Sequence, residues 1–162
     1  MSQSSLKLRK ASIEDYDSYY SIRAEKLNLF WTGYETAPNY EGFSSWYKKR
    51  LSEENRDLFL LFDGNDCIGS LNMDYYEGYV FIGYSIKENS VGKGLGTFLV
   101  QRAVELSKTA KPELKSIKAW INFQNIGSIR VVEKNGFYKN DITETRKRFG
   151  NEELYFQFEL KL

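Results

Sequence analysis

Apolar and polar positions repeat along most of the chain, and the period changes from segment to segment. Leu6 and Leu8, set among polar neighbours, read as a first strand. Ser12 with Asp15 three residues on marks a helix start, with Asp where a capping box usually carries Glu or Gln. Ile13, Tyr16, Tyr20 and Arg23 keep helical spacing behind it. Asn28 to Asn39, which carries Phe30, Trp31 and Tyr34, is less periodic and reads as a loop bearing large aromatics. Phe43, Trp46, Tyr47, Arg50 and Leu51 then mark a second helix. Leu58 to Phe62 is a buried-strand run closed by turn chemistry at Asp63-Gly64-Asn65-Asp66. Cys67 to about Tyr75 and Tyr79 to Ile86 give two more strands with Glu77-Gly78 between them; connections this short call for antiparallel pairing.

Leu95, Phe98, Leu99, Arg102, Ala103 and Leu106 follow the spacing of a helix packed on a sheet, and Pro112 closes it. Ile117, Ala119 and Ile121 alternate with Lys118 and Trp120 as a fifth strand. Strand, helix, strand with these lengths is a crossover, so the fourth and fifth strands are expected to run parallel. Asn125 can cap a further helix that stops at Asn135-Gly136, and a sixth strand begins near Phe137. The last strand sets Leu154, Phe156, Phe158, Leu160 and Leu162 against Tyr155, Gln157, Glu159 and Lys161. There is no internal repeat, low-complexity tract or linker, so residues 1–162 are expected to form a single domain of the α/β (α+β) class.

Composition narrows the chemistry. A chain of 162 residues suits one core, and its net charge of +1 gives no field for nucleic acid or membrane. Cys67 is alone, so no internal disulfide can form. The absence of histidine removes Ser-His-Asp and Cys-His catalysis and argues against a zinc site, so no metal is expected. Met1-Ser2-Gln3-Ser4-Ser5 has no apolar signal core behind it, and nothing approaches the roughly 20 apolar residues of a membrane span. A cytoplasmic protein is the expectation.

The informative segment lies between the fourth strand and its helix. Gly92, Gly94 and Gly96 let the backbone turn tightly and bring its N–H groups to a ligand, and the helix start adds unpaired donors and partial positive charge. Together they read as a nest for a diphosphate, with a plain structural turn as the alternative. A P-loop fits poorly because Lys93 is followed by Gly94 rather than Ser or Thr. A Rossmann fingerprint fits poorly, because the spacing is G-x-G-x-G and hairpin-connected strands precede it.

Val91-Gly92-Lys93-Gly94-Leu95-Gly96 resembles motif A of the GNAT acetyltransferases. Asn125-Ile126-Gly127-Ser128, continuing to Glu133-Lys134-Asn135-Gly136-Phe137, resembles a signature of that family's ribosomal-protein-acetyltransferase-like branch, as does Ile82-Gly83-Tyr84. The two motifs stand in order, and the succession of elements is similar along nearly the whole chain. The resemblance implies a GNAT fold: a mixed, mostly antiparallel sheet of about seven strands, parallel and splayed at the fourth and fifth, flanked by about four helices. It also implies acetyl-CoA as co-substrate, held by Val91, Gly92, Lys93, Gly94, Leu95, Gly96 and Thr97, by Ser85 and Ile86 on the strand before them, and by Asn125 and Ser128 near the sulfur. Three family positions differ: Val91 stands where motif A has Gln or Arg, which removes one polar phosphate contact, Phe81 where a catalytic glutamate is frequent, and Val132 where a tyrosine acid is frequent.

The activity so implied is N-acetylation of a primary amine on a small molecule, a peptide or a protein N-terminus, by a monomer or homodimer. The alternative is a module that binds acyl-CoA without turnover. Ser128, with Asn125 beside it, becomes the catalytic candidate, for protonating or hydrogen-bonding the leaving sulfur; Asn125 also reads as a simple helix cap. Trp31, Tyr34, Tyr75 and Tyr76 are candidate walls of an acceptor pocket, although core packing explains them too. Glu35, with Glu25, Asp74 and Glu77, lies on segments near the expected acceptor side. Arg146-Lys147-Arg148 reads as a solvated hairpin face that an acidic substrate could meet.

Overall fold

The computed structural model describes residues 5–162; residues 1–4, on which the signal-peptide expectation partly rests, lie outside them. Seven strands form one sheet in the order β1-β2-β3-β4-β5-β7-β6. They are β1 (Leu6–Lys10), β2 (Arg56–Asp63), β3 (Asp66–Tyr76), β4 (Tyr79–Ile86), β5 (Ser116–Asn122), β6 (Tyr138–Arg148) and β7 (Asn151–Lys161). Every neighbouring pair is antiparallel except β4 and β5. The five α-helices among the described residues are α1 (Tyr16–Arg23), α2 (Lys26–Thr32), α3 (Tyr40–Ser52), α4 (Leu95–Ala110) and α5 (Ile126–Lys134).

Each face of the sheet buries its own cluster. Leu71, Met73, Val80, Ile82, Ile117, Ala119 and Ile121 meet Leu95, Leu99, Val100, Ala103 and Val132 of α4 and α5. On the opposite face Tyr16, Tyr19, Ile22 and Tyr47 of α1 and α3 close over Leu58, Leu60 and Cys67. The start of α1 has the reciprocal contact that its sequence announces: Ser12 and Asp15 form a capping box over a short 3-10 turn. Arg9 then clamps the Asp15 carboxylate through two hydrogen bonds of 2.7 and 2.8 Å.

Two expectations are corrected. The segment from Asn28 is not loop throughout, because α2 runs to Thr32 and stops at Gly33, whose φ is 82°. Partners outside the segment hold it: the Asn28 side-chain amide donates to the carbonyls of Ile22 and Ile86, and the Glu88 carboxylate accepts from the Leu27 N–H at 2.7 Å. The alternation of β7 does not mark one wet face either. Gln157 is 4% exposed while Leu154 is 38% exposed. The strand lies inside the sheet between β5 and β6, and Gln157 accepts from the Asn140 amide at 2.8 Å.

Candidate functional site

The pairing of β4 with β5 covers only Tyr79↔Ser116, Val80↔Ile117 and Phe81↔Lys118. Beyond Phe81 the two parallel strands part. β4 continues to Ile86 against β3 alone, and β5 continues to Asn122 against β7 alone. The sheet therefore opens in a V at its middle, and the edge of β4 from 82 to 86 that faces β5 carries backbone groups with no strand against them.

The loop after β4 stands over the mouth of this V. Gly92 and Gly94 have φ of 80° and 78°, a conformation that favours glycine, and a Cβ at either would meet nothing within 4 Å. Gly94 is the N-cap of α4 and offers no side-chain cap. The first-turn amides of this 16-residue helix thus take no side-chain cap and sit at the positive end of the helix dipole. Gly96 serves differently, since a Cβ there would lie 3.2 Å from Val131 Cγ2 and 3.3 Å from Tyr84 Cε2. Its missing side chain lets α4 approach α5 and β4.

Loop and V open into one groove of about 960 Å³. It brings together the cofactor candidates Ser85, Ile86, Val91, Gly92, Gly94, Leu95, Gly96, Thr97, Asn125 and Ser128 with the acceptor candidates Trp31 and Tyr34, from α2 and its end. Lys93 is exposed and does not line it. Asn125 is the cap of α5, its side-chain oxygen accepting from the Ser128 N–H at 3.2 Å. Its amide nitrogen and the Ser128 hydroxyl have no protein partner among the described residues. Tyr84 lines the floor with its hydroxyl 3.5 Å from the Ser128 carbonyl, and burial pushes that phenol up to about 12.

Other candidates lie elsewhere. Tyr75 gives its hydroxyl to Asp57 at 2.9 Å, and burial together with that carboxylate raises its pKa. Tyr76 stacks on Tyr79 at the β3–β4 turn. Neither lines the groove. Glu35 and Glu77 are exposed outside it, Asp74 is paired with Arg50 at 2.6 Å, and Glu25 accepts from the Glu88 N–H at 2.8 Å. Phe81 stacks on Trp120, and Val132 is buried in the core; neither is part of the lining.

The periodicity does not single out the far end of the groove. Trp120, Asn122 and Tyr155 line it, with Arg146, Lys147 and Arg148 from the β6–β7 hairpin. Arg148 corrects the expectation of a solvated face: its side chain is 3% exposed. It donates to Glu153 at 2.5 and 3.1 Å and to the Phe30 carbonyl at 2.6 Å, and lies against the rings of Phe30, Trp31 and Phe149. Glu153 also accepts from Asn122 at 2.5 Å. Hydrogen bonding from Arg148, against the opposing effect of burial, holds the Glu153 carboxyl below the usual carboxylate range. The hairpin tip is thereby fastened to α2. The lining contains no Asp, Glu or His, and among the described residues no group of three or more His, Cys, Asp or Glu is placed to hold a metal.

A family model described as "Acetyltransferase (GNAT) domain" matches residues 5–138. The chain is 27% identical over 132 residues to a probable N-acetyltransferase, YjcK, of Bacillus subtilis (strain 168), covering 78% of this chain and 64% of that protein. It is 22% identical over 150 residues to an uncharacterized N-acetyltransferase, MJ1207, of Methanocaldococcus jannaschii, covering 85% and 62%. The matched stretch thus spans a little under two thirds of the length of both relatives. In three dimensions the chain resembles a spermidine N-acetyltransferase from Vibrio cholerae solved in complex with CoA and spermine, with a TM-score of 0.85, 18% identity, and coverage of 98% of this chain and 96% of that one. At that identity the likeness establishes the fold.

Proposed function

Because the chain belongs to the GNAT acetyltransferase family, we propose that it transfers an acetyl group from acetyl-CoA to a primary amine. One observation carries this reading: the β4–β5 sheet opens directly beneath an uncapped helix start whose preceding loop holds two glycines with positive φ. Both halves of that geometry suit the same ligand. Amides at the start of α4 suit two linked phosphoryl groups, with Arg130 and Lys134 of α5 lining the groove as well. The edge of β4 running to Ser85 and Ile86 has no strand against it, though the Asn28 amide takes the Ile86 carbonyl, and it suits an extended chain of amides. Acetyl-CoA supplies an activated acyl group, whose transfer forms a C–N bond and breaks a C–S bond.

The protein's own part is to hold and orient. We assign the Ser128 hydroxyl and the free Asn125 amide to the departing sulfur, as the groove-lining groups on α5 with hydrogen-bonding capacity to spare. The lining provides no carboxylate or imidazole to take the amine's proton, so the amine enters already neutral; after attack its nitrogen gives up one of its two protons to water and keeps the other as the amide N–H, while the departing thiolate takes up a proton. Titration of the purified protein with CoA, followed by thiol release from acetyl-CoA with a panel of amines, tests the proposal. CoA binding with amine-dependent thiol release is expected. Binding without release from any amine would leave a ligand-holding module instead, and absence of binding would remove both.

The acceptor is a small molecule or a peptide. Trp31 and Tyr34 from α2, with Trp120 and Tyr155 from the sheet, form its aromatic walls.

A further inference from the structure

The charged side chains lining the groove are all cations: Arg130, Lys134, Arg146, Lys147 and Arg148. Arg130 and Lys134 sit on α5 beside the diphosphate nest. The other three sit on β6 at the acceptor end, with Trp31 and Tyr34. Arg148 is spent, its guanidinium engaged by Glu153 and the Phe30 carbonyl. Arg146 is not. Its guanidinium lies 4.5 Å from the Tyr155 ring centroid and 5.7 Å from that of Trp120, both groove-lining rings. Its Nε is paired with Glu144, while its two terminal nitrogens have no partner among the described residues. Its side chain is 44% exposed. A guanidinium held over two aromatic rings, with both terminal nitrogens unpartnered among the described residues, can take a planar or tetrahedral anion through two parallel hydrogen bonds.

The geometry points to an acceptor amine that carries an anionic group, a carboxylate or a phosphate, seated on Arg146. This rests on the acetyl-transfer reading and narrows it. A polyamine of the kind bound by the Vibrio cholerae structure is disfavoured, because no carboxylate lines this groove to meet its second charge, while Arg146 and Lys147 stand at the acceptor end beside the paired Arg148. The flanking rings accept the apolar part of the acceptor. Arg146 is thus a specificity residue, and Arg148 a positioning residue that holds the hairpin carrying it.

Matched acceptors separate the outcomes: phenylalanine against phenylethylamine, phosphoethanolamine against ethanolamine, and spermidine. Thiol release from acetyl-CoA gives kcat and KM for each. The anionic member of at least one pair is expected to be preferred by about tenfold or more in kcat/KM, equivalent to about 1.4 kcal/mol. The pair that shows it identifies carboxylate or phosphate. Arg146→Gln is expected to abolish that ratio through KM, Arg146→Glu to invert it, and Arg146→Lys to retain part of it. CoA titration of each variant verifies that the fold and cofactor end are intact. Ratios near one in the unaltered protein, preference for spermidine, or a ratio that survives both Arg146→Gln and Arg146→Glu would overturn the inference and leave acetyl transfer standing. Thiol release with no amine at all would overturn both.

Discussion

Replacing Arg148 by methionine isolates the contact that fastens the β6–β7 hairpin to α2. Methionine keeps most of the length that packs on Phe30, Trp31 and Phe149. It deletes hydrogen bonds of 2.5 and 3.1 Å to Glu153 and 2.6 Å to the Phe30 carbonyl. Removing one partner of a buried ion pair costs about 3–5 kcal/mol, because the other charge is left behind. Here Glu153 retains 18% side-chain exposure and the Asn122 amide at 2.5 Å, which places the cost near the lower end, about 3 kcal/mol. For a chain of this size that corresponds to a fall in Tm of about 6–12 °C in a calorimetric or fluorescence melt at pH 7. The pH dependence checks the cause. The folded Glu153 carboxyl is depressed, chiefly by Arg148, so its contribution is complete above the unfolded carboxylate pKa and is lost as pH falls through the lower folded value. The gap between Arg148→Met and the unaltered protein is therefore expected to narrow toward acid. Adding Glu153→Gln to the variant is expected to recover part of the loss. A Tm within about 2 °C of the unaltered protein, or a gap that widens toward acid, would refute the reasoning.

Three further outcomes are expected. Gly94→Ala places a Cβ in open space at φ 78°, so its cost is backbone strain, about 1–2 kcal/mol by denaturant melt, together with weaker CoA binding by titration as the first-turn amides turn away. Asp15, held down to about 2 by Arg9, contributes stability that is full above about pH 4 and lost as pH falls toward 2; Asp15→Asn is expected to cost about 1–2 kcal/mol at pH 7, discounted for the part-exposed Arg9, and to flatten the acid limb. With no base lining the groove, kcat/KM for a simple alkylamine is expected to rise about tenfold per pH unit up to the amine's own pKa, about 10.4 for one like lysine; a plateau near pH 7 would point to a protein base instead.

What could be read in the chain was what its neighbours in sequence decide. The apolar run of β2, the short turns about β3 and β4, the alternation of β5, the apolar stripe of α4 and the glycine stop after α5 are local patterns, and each element stands where its pattern placed it. The glycine loop was legible as a turn into a helix start for the same reason, since turn, glycines and helix start are contiguous. What escaped is set by distant partners. α2 depends on an N-terminal acceptor, Glu88, that is 61 residues away. Arg146 and Arg148 share a strand and a face. One lies over Trp120 and Tyr155, while the other is sealed beneath Phe30 and Trp31, a difference made by α2 and invisible in the tripeptide. Gln157 reads as a surface residue until β6 is laid beside it.

The exchange between Glu25 and Glu88 makes two regions of the chain one inheritance. Each carboxylate terminates the other's backbone: Glu88 takes the Leu27 amide, and Glu25 takes the Glu88 amide at 2.8 Å. The helix α2 and the turn that leads into the glycine loop therefore share an anchor. A graft of residues 25–34 from another protein would carry its own carboxylate, or lack one, at position 25, and the loop would register the change through residue 88. Exchanging that segment thus calls for revising both carboxylate positions together.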